Sequence, residues 1–229
     1  MNFLRNFKKI ALFAAMICMV NGAAAQGRDY IRKAIDDWGE CRNVALTENN
    51  GDLALYQDNG YAHAGCPEDL DATIKELHAN DELIDDVQLT ESGKWLILYG
   101  DNGFRWNEIP SSLEAQLKKY NNDGEVITSA TFNDSGDWIV ITTNYFCASD
   151  AEVQNWLKEG NQKYGKIWAA CVTDDAAVVV YENGYQFLGE IPESLQKALD
   201  ETELDVYRLK VSGDSWFFAD QEGTYQYDM

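Results

Sequence analysis

The side chains best suited to nucleophilic chemistry in this 229-residue chain are five cysteines and two histidines. His63 stands three residues before Cys66, and an imidazole within reach of a thiol can activate it. Four cysteines lie beyond the N-terminal segment: Cys41, Cys66, Cys147 and Cys171. An even number in an exported chain favours disulfides over reactive thiols. The separations of 25 residues from Cys41 to Cys66 and 24 from Cys147 to Cys171 make that pairing the first choice among the connectivities four cysteines allow. No CxxC or Cys/His spacing fits zinc, and GxSxG, P-loop, HExxH and GxGxxG patterns are absent. His78 reads as a solvated helix residue. The sequence therefore assigns no catalytic residue, no cofactor and no metal.

Aromatic side chains offer binding rather than reaction. Tyr61 and His63, Phe104 and Trp106, Tyr185 and Phe187, and Tyr225 and Tyr227 are spaced two apart, so each pair shares one face of a strand. Such a stripe packs under a helix or serves as a platform for sugars or peptides, since aromatics give contact area at low entropic cost. Trp106 has no equal at its repeat position, which makes Trp106, with Tyr61 and His63, the ligand-binding candidate. Acidic turns such as Asp134-Ser135-Gly136-Asp137 carry the oxygen ligands calcium prefers, yet none has the spacing of a calcium loop, and turn chemistry accounts for them.

These residues sit on a repeating frame. In one copy Val87 and Leu89 alternate with Gln88 and Thr90, the pattern of a half-buried strand. A Ser92-Gly93 turn follows, then the continuous apolar run Trp95 to Tyr99 of a strand buried on both faces. Asn102-Gly103 is a hairpin signal, Phe104 to Asn107 a third strand, and Pro110 opens a helix at its first position with Leu113 and Leu117 on one face. Asn59-Gly60 and Asn183-Gly184 repeat the turn. Gly60 to Gly103 is 43 residues and Gly103 to Gly184 is 81, two periods. The three prolines, Pro67, Pro110 and Pro192, share one phase as PEDL, PSSL and PESL. The remaining helices are expected over Arg28 to Glu40 and after an N-cap at Ser149 or Asp150.

Residues 1–25 have the features of an export signal: Arg5, Lys8 and Lys9, an apolar stretch from Ile10 to Val20, and Ala23-Ala24-Ala25 before Gln26. That stretch is too short for a membrane span, and no later segment is apolar enough, so no membrane insertion is expected. Those residues hold three of the 18 basic side chains and none of the 39 acidic ones, which leaves residues 26–229 with a net charge of −24. Such a field excludes nucleic acid and anionic surfaces as partners and suits a cationic one. The frame counts five three-strand sets and five helices, beginning with a helix and ending with a strand. The expected fold is α+β, five tandem βββα repeats closed into an α/β-propeller-like ring by the first helix, with a five-bladed β-propeller as the alternative. Residues 26–229 form one repeat domain with units at about 28–66, 67–108, 109–148, 149–190 and 191–229.

The succession GxW, NGY or NGF, and IPxxL, carried here by Gly93-Lys94-Trp95, Gly136-Asp137-Trp138, Asn102-Gly103-Phe104 and Ile109-Pro110, resembles a tandem repeat of exported bacterial proteins of uncharacterised function. The element count is also similar to that of the pentein superfamily. Penteins are guanidine-modifying enzymes with Cys, His and acidic residues around a central channel, a motif that does not map residue by residue onto this chain. The expected function is an exported, periplasmic or extracellular, non-catalytic and monomeric binding protein for a protein or glycan, in its specific form a cationic protein. A pentein-like enzyme or a structural envelope component is the alternative.

Overall fold

The computed structural model describes residues 21–49 and 51–229. The export signal expected over residues 1–25 lies outside them up to residue 20. From Asn21 the chain is already in helix α1 (Asn21–Trp38), longer than the helix expected from Arg28. Three strands follow, β1 (Asn43–Ala45), β2 (Asp52–Tyr56) and β3 (Gly60–Ala64), and then α2 (Glu68–Ala79). The second set is β4 (Ile84–Leu89), β5 (Trp95–Tyr99), β6 (Gly103–Asn107) and α3 (Ser111–Asn122). The third is β7 (Ile127–Phe132), β8 (Trp138–Thr142), β9 (Phe146–Ala148) and α4 (Ala151–Tyr164). The fourth is β10 (Ile167–Val172), β11 (Ala176–Tyr181), β12 (Gly184–Gly189) and α5 (Glu193–Glu201). β13 (Arg208–Ser212), β14 (Ser215–Ala219) and β15 (Tyr225–Asp228) complete the described chain. The fold is α+β: each strand triplet forms its own antiparallel sheet in sequence order, five sheets in all among the described residues.

Local chemistry accounts for the boundaries. The Asn-Gly turns close β2–β3, β5–β6 and β11–β12. Asn102 also ties its turn to the next repeat, donating to the Glu125 carbonyl at 2.8 Å and accepting from the Ile127 N–H at 3.2 Å. The prolines stand one position earlier than expected. Pro67, Pro110 and Pro192 are N-cap residues with φ near −52° and extended ψ, and the helix begins at the next residue. At the joint without proline Asp150 is the cap, and its carboxylate accepts from the N–H groups of Glu152 and Val153, satisfying donors that have no intrahelical partner.

Trp95 and Trp138 of the GxW signal, together with Trp216 at the same phase, account for the phase the prolines keep. Trp95, Trp138 and Trp216 are buried. Each donates its indole N–H to the residue two after a helix-opening proline: Asp69 at 3.1 Å, Ser112 at 2.9 Å and Ser194 at 2.8 Å. The indole thus seats each helix start on the sheet that follows it. Where the tryptophan is replaced by Ala177, the proline is missing too.

Five apolar clusters result, each built from one helix and two sheets. Leu113 and Leu117 of α3, for example, pack against Leu96 and Leu98 of β5 and against Ala130 and Val140 of the next sheet. The fifth joins sequence-distant partners: Ile31 and Ile35 of α1 pack with Val44 and Ala54 of the first sheet and with Phe217 and Ala219 of the last. Here Tyr227 donates to Asp36 at 2.6 Å, Arg32 to the Met229 carbonyl at 2.7 Å, and the Cys41 N–H to the Gly223 carbonyl at 2.9 Å. Helix α1 lies against β15 as α5 lies against β12, where Tyr185 reaches Asp200 at 2.9 Å.

The first strands of the sheets converge. β1 touches β4, β4 touches β7, β7 touches β10, β10 touches β13, and β13 touches β1. Their alternate polar residues, which a half-buried strand would turn to water, are buried instead: Asn43, Asp86, Gln88, Ser129, Thr131 and Lys210. β4, β7 and β10 each shift register near their start, at Asp85, Thr128 and Trp168. Such a bulge re-aims the side chains that follow it.

Replacing Ser112 with Ala leaves the buried Trp138 indole N–H without its acceptor. The expected cost is about 1–3 kcal/mol, read as a lower urea midpoint with an unchanged m-value.

Candidate functional site

The converging first strands and the loops that end them enclose a cavity of about 1030 Å³. Its floor comes from β4, β10 and β13 through Gln88, Cys171 and Lys210. Its rim comes from the loops joining first to second strands and from the start of α5. There Glu48, Asp174, Asp175, Glu190, Glu193 and Asp214 are exposed. Glu91 and Asp134 also line it, and Lys210 is the one basic side chain among the lining residues.

The floor is a buried polar network. The Lys210 ammonium donates to Asp86 Oδ1 at 2.6 Å, and the two side chains are 6% and 2% exposed. The same oxygen accepts from Asn43 Nδ2 at 2.8 Å, and Gln88 Nε2 lies 3.4 Å from both carboxylate oxygens. Charges removed from water on this scale persist only when paired and hydrogen-bonded, and Asn43 and Gln88 supply the donors. Burial pushes the Cys171 thiol up beside them, which disfavours the reactive thiolate.

Part of the rim is structural. Glu91 accepts from the Glu48 N–H at 2.7 Å and from Ser212 at 3.2 Å. Asp134 accepts from Thr90 at 2.8 Å and from the Ser92 N–H at 2.9 Å, and Asp174 from the Ser135 N–H at 3.1 Å. Each carboxylate thus clasps the turn of the preceding repeat. Burial acts to raise the Asp134 carboxyl, but the bonds from Ser92 and Thr90 outweigh it and hold the group below its ordinary value.

The expected binding residues lie elsewhere, outside the cavity lining. Trp106 is half-buried against the α3 cluster, with Phe104 at 5.2 Å and the Lys118 ammonium 5.4 Å over its ring. Tyr61 stacks on His63 at 5.9 Å and meets the edge of His78 at 5.4 Å. His63 Nε2 approaches Asp71 Oδ1 to 2.9 Å. Tyr61, His63, Phe104 and Trp106 are half-buried against the neighbouring helix, whereas Phe187 of the same stripe is exposed. Cys66 bonds the Asp52 carbonyl at 3.4 Å, and burial pushes its thiol up to about 12, which disfavours the reactive thiolate. The structure pairs none of Cys41, Cys66, Cys147 and Cys171; all four are free thiols. Each belongs to a different apolar cluster, whereas a disulfide needs Cα atoms within about 7 Å. Sequence reasoning missed Asp86, Gln88 and Lys210. Their signal was a polar residue at alternate first-strand positions, which also describes a strand facing water.

Among the described residues no cluster of three or more His, Cys, Asp or Glu could hold a metal ion, and no helix is long and apolar enough to cross a membrane. A scan against protein-family models finds no match, and a search of curated proteins finds none either.

Lys210→Met strands the Asp86 carboxylate and is expected to cost about 3–5 kcal/mol, whereas Asp86→Leu combined with Lys210→Met removes both charges and restores most of that loss; chemical denaturation of the two variants checks this. A carboxyl held low by folding stabilises the protein above its unfolded value near 3.8 and loses that contribution as pH falls through the lower folded value. Asp134→Asn is therefore expected to be less stable than the parent at pH 7 by about 1–2 kcal/mol. The gap should narrow as pH falls below the ordinary carboxyl value of 3.8, as followed by urea midpoints across pH.

Proposed function

We propose that this chain is an exported, non-catalytic binding protein whose ligand is a cationic protein. The observation that carries this reading is the cavity where the first strands meet, lined by eight carboxylates against one lysine. Clefts lined by one sign of charge focus the field and raise the encounter rate with an opposite charge. Export rests on residues 1–25, with their basic start, apolar stretch and small-residue cleavage site. The proposed architecture is a closed ring of five βββα units. It is supported by the chain of first-strand contacts that returns from β13 to β1 and by the seat of α1 against β15. A ring of this kind presents its strand-connecting loops around one opening, as propeller-like folds do. The five three-stranded sheets support the resemblance in element count to penteins, and the half-buried, bonded state of Cys66 speaks against their chemistry.

The test uses cytochrome c as a basic probe and serum albumin as an acidic control, both immobilised. Association with cytochrome c is expected at about 0.01 M salt and is expected to vanish near 1 M, as the screening length falls from about 30 to about 3 Å. Equal binding of the two probes, or binding indifferent to salt, would overturn the proposal.

A further inference from the structure

We infer that the cavity takes the backbone of an extended basic peptide or loop, with its cationic side chains on the rim and one amide group on the floor. This rests on the cationic-partner reading and specifies how such a partner is held. The rim alone would attract any cation, and Glu91, Asp134 and Asp174 already serve the fold. The discriminating groups are deeper. Gln88 is 8% exposed and lines the cavity. Its Nε2 faces both oxygens of Asp86 at 3.4 Å, which turns the amide carbonyl away from that carboxylate. No donor reaches Oε1 among the described residues. The Oε1 atom is not sealed inside the protein; it borders the cavity, where a ligand N–H can reach it.

Lys210, 5% exposed and also on the floor, directs one hydrogen bond to Asp86 at 2.6 Å, while an ammonium carries three donors. The floor therefore presents one open acceptor and donor capacity beside it, with its charge balanced by Asp86. A peptide group has the complementary pair, an N–H for Gln88 Oε1 and a carbonyl for Lys210. A polyamine has donors only, and it would meet the Lys210 charge without a carbonyl to offer. The volume, about 1030 Å³, is at the upper end of ordinary ligand pockets and is ample for a few residues of extended chain. Asp175, Asp214, Glu190 and Glu193, exposed around the opening, receive the arginine or lysine side chains that flank the inserted amide.

The experiment is calorimetric titration of the full chain with N-acetylated tetra-arginine amide and, separately, with spermine. One-to-one binding of tetra-arginine is expected, weakened about tenfold by Gln88→Met, the worth of one hydrogen bond in a partly charged setting, with its salt dependence unchanged. The pair Asp175→Asn and Asp214→Asn, on exposed loops, is expected to weaken binding and flatten its salt dependence. Spermine is expected to sense the rim pair and ignore Gln88→Met. A tetra-arginine with N-methylated backbone tests the same hydrogen bond on the unaltered protein and is expected to bind about tenfold less tightly, so the inference stays testable should Gln88→Met fail to fold. Equal binding of the methylated and parent peptides overturns the inference and leaves a diffuse electrostatic binder. Absence of tetra-arginine binding alongside salt-sensitive capture of cytochrome c also overturns it while sparing the cationic-partner reading. Absence of both overturns the two together.

Discussion

A carboxylate sealed from water, Asp86, is the constraint on which the arrangement of the five sheets depends. Its oxygens take a lysine from β13, an asparagine from β1 and a glutamine from its own strand. Three first strands, one of them far away in sequence, must therefore meet at one point. Burying this ion pair earns little net stability over an apolar filling of the same volume. What it supplies is discrimination: any misplacement of β13 relative to β4 strands a charge, so the correct assembly is separated from near alternatives by several kcal/mol.

Around that point the repeats are fastened by three recurring devices. Buried indoles hold the helix starts through Asp69, Ser112 and Ser194. Turn carboxylates hold the N–H groups of the preceding turn. Asn102 holds the strand that opens the next repeat. The devices join residues 23, 26 or 42 positions apart in these examples, which is a link within one repeat or to its immediate neighbour. Stability in such a chain is built from nearest-neighbour interfaces. The contacts of α1 with β15 span nearly the whole described chain and the Lys210–Asp86 bond spans 124 residues, so loop-closure entropy must be met before they form.

The acidic composition acquires a location in this setting. Most surface carboxylates serve solubility, as in any strongly charged chain. Those on the first-to-second strand loops are gathered at one opening because the repeat places equivalent turns on one side of every sheet. Some clasp neighbouring turns and are partly neutralised by N–H donors; others, such as Asp175 and Asp214, stand exposed. The same periodicity that fastens the repeats thus concentrates charge over a cavity.

Much of the fold was legible in the residues. Asn-Gly turns, prolines at one phase and period-2 alternation fix hairpins and helix starts through φ preferences and side-chain direction, which are local properties. The strands and helix of the repeat from Val87 to Leu117 were accordingly read to within a few residues, whereas α1 reaches back to Asn21 among the described residues, beyond the helix expected from Arg28. The site was not legible. Alternation states that Asp86 and Gln88 share one face of β4 and that Lys210 alternates with Leu209 and Val211 in β13, but whether those faces meet water or each other depends on packing over more than 100 residues. Trp106 and Tyr61 read as a platform, and the sequence cannot show that they are half-buried against a helix and lie outside the cavity lining. Cys41, Cys66, Cys147 and Cys171 looked paired by count, and only the tertiary structure distributes them among separate cores. By itself the sequence determined the repeating elements, since these follow from short-range sterics and hydrogen bonding. Only the tertiary structure decided which polar face is buried and where charge gathers, because burial is a property of the assembled sheets and not of any one strand.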